Sequence, residues 1–481
     1  MKDNISTLIP SFYGEELLFR SSINNLIEKK LLKNPLLLRN KIRNFAKSYV
    51  LPNAIKIDRI IKEEQHDYVP WDIIDAGMRR GFLSMLYPKA VDGQGGTTTE
   101  FAVFMEEMSA ACPGIANIFG ANALGAASVI FSLNLEIWNR YLLPATRDEK
   151  KGKSTIFAWA ITEPSAGSDV EYYEGLKKGA IYSQATPVIG GYKLNGRKVF
   201  ISNGSIADFI VVKMPIDRKQ SEKTWSTFIV PKTAKGFKVV RTENKMGQVA
   251  TPAAELEFED VFVPSMDMIG KEGSGFNMAK MILAASRGPV GAIGTGIALG
   301  AFRLAVLYAS DAETPLKRSL QNPVIREFLA ELFNKIRLSR LSYLEATSNF
   351  DSNILPPMWL QDSLKYPFKG MKTFMVGTPA EKLKKFGDEL LDKYFRYLIG
   401  SGKLESQLIL ASSAKIIGGD TGMYVTKKVL DFIVPSNSVY WIAAQKLYRD
   451  AKLIQIYEGT NQLNKQEIGE KLRISKRIDH E

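Results

Sequence analysis

The chain has 481 residues, 45% apolar and 24% charged, which suits a globular protein of two or three domains and excludes a disordered one. Its formal charge of +13 suits an anionic ligand, and no nucleic-acid partner is expected; with only His66 and His480, a Ser-His-Asp triad or a His-ligated catalytic metal is not expected. A single cysteine, Cys112, excludes an internal disulfide and fits a reducing compartment, here taken as the cytoplasm.

In chain order, the opening "MKDNISTLIPSFYGEELLF" lacks the apolar core of a signal peptide, and its early acids argue against a transit peptide. No uninterrupted apolar run of eighteen residues appears, so no transmembrane segment is expected. Residues 1–155 read as a helical domain with an N-terminal extension: "NKIRNFAKSYVLP" and "TTEFAVFMEEMSAA" repeat apolar residues at three and four, and "DGQGG" at 92–96 breaks the pattern. Residues 156–268 read as a compact β domain. There "GYKLNGRKVFISNG" places Asn195-Gly196 between strand-like runs, which predicts a type I′ hairpin. "ADFIVVKM", "STFIVPK", "FKVVR" and "AELEFEDVFVP" follow as strands.

From Gly275 the helical period returns, so 269–481 reads as a helical bundle, less regular over 351–370 and 425–446. "GPVGAIGTGIALG" superficially matches a dinucleotide fingerprint. It lacks the preceding strand and the right spacing, so its small residues are assigned to close helix packing. "GANALGAAS" at 120–128 is equally small, leaving room for a bulky ligand or allowing tight packing.

Two stretches carry candidate chemistry. "FAWAITEPSAGSDV" (157–170) sets the hydroxyls of Thr162, Ser165 and Ser168 around the flexible Ala166-Gly167, a segment able to cradle an anion or a carbonyl-rich ring. "LIQIYEGTNQLNKQ" (453–466) places one carboxylate, Glu458, at an apolar–polar junction, where alone it reads as a surface or capping acid.

The first stretch resembles the acyl-CoA dehydrogenase signature, an aromatic followed by x-x-T-E-P-x-A-G-S-D. Further family blocks follow in order: "FISNGSIADFIVV", "KMGQVATPAAELEFEDVFVP", "IGKEGSGF" and "YRDAKLIQIYEGTNQL", so the resemblance spans roughly residues 40–345 and 405–472. It implies an α+β, mostly α fold: an N-terminal helical domain, a small central β-barrel and a C-terminal four-helix bundle. About 60 residues look inserted near 350–403 and 423–446. It also implies bound FAD, an acyl-CoA substrate, an electron-transfer flavoprotein as acceptor, a place in fatty-acid metabolism, and a homodimer or homotetramer.

Carried over by residue, the resemblance puts Trp159, Ile161 and Thr162 against the flavin, with Phe200 and Ser202 where the family has Trp and Thr. Ser168 lies between flavin and the pantetheine arm, and Thr460 and Gln462 meet the adenosine end. Glu458 is implied as the base that takes the α-proton while flavin N5 accepts the β-hydride, with the Glu458 backbone N–H and the flavin's ribityl hydroxyl as donors to the thioester carbonyl and Gly459 beside the substrate. Members that carry the base on the bundle helix place it where this chain has Ser286, before Arg287. Arg287 is expected to position Glu458.

Two departures bear on the cofactor. The family's R-x-x-F-G after "LAVLYAS" is replaced by "DAETPLKRSL", leaving Arg318 as a displaced candidate, and its Q-x-x-G-G reads Lys415-Ile-Ile-Gly418-Gly419. Lys415 is accordingly expected to meet the FAD pyrophosphate beside Gly418 and Gly419. The alternatives are a flavin-less or non-catalytic acyl-CoA-binding relative and a branch that uses flavin with oxygen.

Overall fold

The computed structural model describes residues 35–167, 170, 176, 181–316, 319–354 and 378–472. The expected order of helices, strands and helices is present. The first helices are α1 (Pro35–Phe45), α2 (Trp71–Met78), α3 (Thr98–Ala111), α4 (Pro113–Ile130) and α5 (Leu143–Lys150). The N-terminus of α3 shows why it starts where it does. Thr97 and Glu100 bond reciprocally to each other's backbone N–H, and the distant Asp351 accepts from the N–H groups of Thr98 and Thr99, both at 2.9 Å.

The strands β1 (Phe157–Ala160), β2 (Gln184–Val188), β3 (Gly191–Ser202), β4 (Phe209–Pro215), β5 (Trp225–Pro231), β6 (Phe237–Thr242), β7 (Ala253–Pro264) and β8 (Met268–Ile269) follow. The barrel expected here takes the form of two four-stranded sheets, in the orders β1-β4-β5-β8 and β2-β3-β7-β6. Apolar residues from both sheets share one core, among them Ala158, Val212, Phe228, Leu194 and Phe258.

The predicted Asn195-Gly196 hairpin is corrected: both residues lie inside β3. The turn falls earlier, at Ile189-Gly190, with Val188 paired to Gly191. Asn195 and Gly196 sit instead at a bulge against β7, where the Asn195 amide exchanges bonds with Asp260 and glycine leaves room for Ser183.

The C-terminal part contains α6 (Gly275–Ser310), α7 (Pro323–Asn353), α8 (Ala380–Gly400), α9 (Lys403–Phe432), α10 (Val439–Ile454) and α11 (Asn461–Lys471). The stretch expected to be irregular at 425–446 is helical apart from the short break between α9 and α10. Of the segment expected as an insertion, α8 docks its Leu391, Phe395 and Leu398 beside Phe350, while residues 355–377 lie outside the described residues.

Helix α6 is the spine. Its Gly291 and Gly294 meet the backbone of α9 at Ala414 and Gly418, so closely that a methyl group on any of these glycines would collide with a carbonyl. The small-residue reading of "GPVGAIGTGIALG" therefore holds. By length and hydropathy both α4 and α6 could cross a membrane, yet each is largely buried inside this fold.

Candidate functional site

A cavity of about 600 Å³ opens where α3, α4, α6, the loop after β1, the end of β3 and the turn between α10 and α11 converge. Much of its lining is apolar, including Phe101, Met105, Leu124, Phe131, Ile282 and Ile293. The two readings of "GANALGAAS" are both right, each for one face of α4. Gly120, Ala121, Ala123 and Ala127 face the cavity, whereas Gly125 packs against the backbone of Phe157.

The same lining gathers most of the residues implied by the signature blocks. It includes Trp159, Ile161 and Thr162, Phe200 and Ser202 from β3, and Glu458, Gly459 and Thr460. Phe200 is 63% exposed for a simple reason: the strand pairing slips between Lys198 and Ile201, and Phe200 takes a left-handed φ of 58° that turns its ring outward. The indole N–H of Trp159 is buried without a partner among the described residues. A flat heteroaromatic ring with hydrogen-bonding edges fits here, since it offers a stacking partner to the phenyl ring and an acceptor to the indole.

The loop that carries Ile161 to Gly167 is fixed by a pair that no local motif announces. Lys198, fully buried on β3, donates to the Glu163 carboxylate at 2.8 Å and to the Ile161 carbonyl at 3.1 Å. Glu163 also accepts from the Tyr182 N–H at 2.7 Å and from the Ser183 hydroxyl. The Lys198 ammonium and these bonds hold its carboxyl below the usual range against the opposing effect of burial.

Glu458 occupies the turn between α10 and α11 with φ 58°, followed by Gly459 with φ 76°. Its carboxylate accepts from the Ser286 hydroxyl at 2.7 Å. Burial raises its proton affinity, and Ser286, Arg287 and Lys415 only partly offset the rise. The strained turn is held through its carbonyls. Arg287 donates from Nε to Glu458 O at 3.2 Å, with its Nη1 on Ser412 and Glu467 at 2.8 and 2.6 Å. Asn464 donates to the carbonyls of Glu458, Gly459 and Thr460 at 3.3, 2.8 and 3.1 Å. Asn464 went unnoticed in the sequence because an asparagine one turn into a helix carries no signal of its own.

The remaining expected site residues lie elsewhere. Lys415 is fully buried and donates to Gly459 O at 2.6 Å and to Asn461 Oδ1 at 2.8 Å. Where a contact with a pyrophosphate was expected, its ammonium instead holds the Glu458–Gly459 turn. Gly418 serves the α6–α9 contact and Gly419 faces Asn461 and Ile454, so in this chain both serve packing. Gln462 is exposed on α11 away from the cavity lining. Ser168 and Arg318 lie outside the described residues. Lys415→Met should therefore cost about 1–3 kcal/mol of stability, by leaving buried acceptors unanswered, without changing the salt dependence of cofactor binding. Urea denaturation beside FAD titration at two salt concentrations checks this.

Family models described as acyl-CoA dehydrogenase N-terminal, middle and C-terminal domains match residues 34–149, 158–261 and 273–361. Cyclohex-1-ene-1-carbonyl-CoA dehydrogenase of Syntrophus aciditrophicus is 29% identical over 94% of this chain and 92% of its own length. A short-chain specific acyl-CoA dehydrogenase of Clostridium acetobutylicum is 29% identical over 91% and 97%. Among solved structures, a chain from a study of the electron transferring flavoprotein of Acidaminococcus fermentans superposes with a TM-score of 0.71 at 26% identity, covering 92% of this chain and 99% of that one.

Proposed function

Because this chain belongs to the acyl-CoA dehydrogenase family, we propose that it removes hydrogen from the α and β carbons of an acyl-CoA thioester, with Glu458 taking the α-proton. It is an oxidoreductase of acyl-CoA with FAD as cofactor. When bound, FAD supplies at N5 the acceptor for the hydride that leaves the β carbon. One observation carries the assignment of the base: the half-buried Glu458 lines the same cavity as the apolar and aromatic residues, and burial raises the proton affinity of its carboxylate. A thioester α-proton is a weak acid, so its acceptor must be stronger than a solvated carboxylate.

The other residues take supporting roles. Trp159, Ile161, Thr162, Phe200 and Ser202 hold the flavin, and Thr460 lies toward its far end. The N–H groups of the Glu458–Gly459 turn suit the thioester oxygen, where negative charge develops as the proton leaves. Arg287 positions Glu458 through the backbone, since its Nε donates to the Glu458 carbonyl. The apolar lining takes the acyl group, and the cyclic acyl group in the name of one relative extends the candidates beyond straight fatty chains. An electron-transfer flavoprotein as acceptor is supported by the Acidaminococcus likeness. We also read the chain as a cytoplasmic homodimer or homotetramer, supported by its single buried thiol and by the exposed Leu338, Leu341 and Ile417 on α7 and α9.

The protein is expected to purify yellow with non-covalent FAD, as two or four chains by light scattering. Its flavin should bleach anaerobically with a subset of straight, branched and cyclic acyl-CoA thioesters. Colourless protein that takes up no added FAD would sink the dehydrogenase reading.

A further inference from the structure

Strand β4 carries a residue that its surroundings do not call for. Successive side chains of a strand face opposite ways, so Val211 and Lys213 share a face. Val211 packs in the core that contains Trp159, Trp225 and Ile229. Lys213 is fully buried on that same side, where an apolar residue would be expected. Its ammonium donates to the Thr227 hydroxyl at 2.8 Å and to the Gly275 carbonyl at 3.2 Å, and no carboxylate among the described residues pairs with it. It lies over two indoles, 6.0 Å from the centre of the Trp159 ring and 5.9 Å from that of Trp225. Trp159 lines the cavity and Lys213 does not, so the lysine sits behind the tryptophan.

We propose that Lys213 is a positioning residue for the redox step, holding positive charge behind the Trp159 wall so that the site favours the electron-rich, reduced flavin. The inference rests on Trp159 facing FAD, as argued above. In the reaction the substrate loses a proton and a hydride, and the flavin gains the electron pair and with it negative charge. A cation in a low-dielectric wall stabilises that gain and draws the equilibrium toward dehydrogenation. Structure alone gives no reason for the residue, because a methionine would fill the same space without burying a charge.

Burial, helped by the like charge of Lys198 on β3, brings the Lys213 ammonium down to about 7. The bias should therefore fade as pH rises through neutrality. The charged and titratable groups around it are few. Lys198 is paired with Glu163 of the loop after β1, while β5 contributes the Thr227 hydroxyl and α6 the Gly275 carbonyl.

The test is the midpoint potential of bound FAD in wild type and Lys213→Met at pH 6 and pH 9, with the apoprotein's indole emission titrated between them. At pH 6 the preference for reduced over oxidised flavin should drop about tenfold in the variant, a potential about 30 mV more negative. At pH 9 the two proteins should converge, and the wild-type emission should show a step that the variant lacks. Equal potentials at pH 6 overturn the proposal, as does a wild-type emission that stays flat over this range. Lys213→Gln replaces Lys213→Met if the latter fails to fold. A wild type that binds no FAD is recognised beforehand by its lack of colour; it defeats the flavin reading itself and this proposal with it.

Discussion

Glu458→Gln is expected to lower the rate at which acyl-CoA reduces bound FAD by 10² to 10⁴, on the order of what one general base contributes, with FAD still bound. The loss should be chemical rather than structural. The anchors from Arg287, Lys415 and Asn464 all end on backbone carbonyls of the turn, which the substitution leaves in place. The Ser286 hydroxyl can donate to the amide oxygen as it does to the carboxylate. Stopped-flow bleaching under anaerobic conditions measures the effect, and near-normal bleaching would place the base elsewhere. Because burial raises the proton affinity of Glu458, the wild-type rate should rise with pH through a limb above the ordinary carboxylate range. Ser286→Ala removes a bond that favours the charged form, so its limb should move to still higher pH.

The second large effect is expected from Lys198→Met. Lys198 and Glu163 are 0% and 1% exposed, so the variant leaves a carboxylate buried with no counter-charge, a loss of about 3–5 kcal/mol. Glu163→Gln in the same background should recover much of it, since an amide needs no cation. The sign of the pH dependence is fixed by the direction of the shift. A carboxyl held below its unfolded value adds stability that is present above the ordinary carboxylate range and disappears as pH falls through the folded value. Urea denaturation of wild type, single and double variants at pH 7 and pH 4 would show the wild-type advantage shrinking at pH 4. The same variant frees the Ile161–Gly167 loop, so FAD should bind more weakly.

These two sites show which parts of the molecule could be read from residues alone. The order of domains and strands β4 to β7 followed from local patterns, because periodicity acts over a few residues, whereas the meeting of the Thr162 and Glu458 segments was implied only by the family resemblance. Partner choice did not. Lys415 bonds Gly459 and Asn461, and Lys198 bonds Glu163; each pairing is set by which helices or strands become neighbours. Gly418 was read as room for a cofactor, but a glycine in a helix gives no sign of which neighbour it admits, and here that neighbour is α6. Asn195-Gly196 has the composition of a tight turn, and a glycine free to take φ 139° suits a bulge as readily.

The left-handed backbone at Glu458 has a consequence for how the sequence can change over generations. A residue with a side chain is strained at this φ, on the order of 1 kcal/mol or more, and glycine is not. Replacing Glu458 with glycine would therefore relax the turn while removing the base. Selection for a sturdier fold alone pulls position 458 away from glutamate, and only selection for turnover pulls it back. A lineage that had stopped using the reaction would be expected to lose this residue early, since the turn is held through its backbone carbonyls and only the Ser286 bond falls on the side chain.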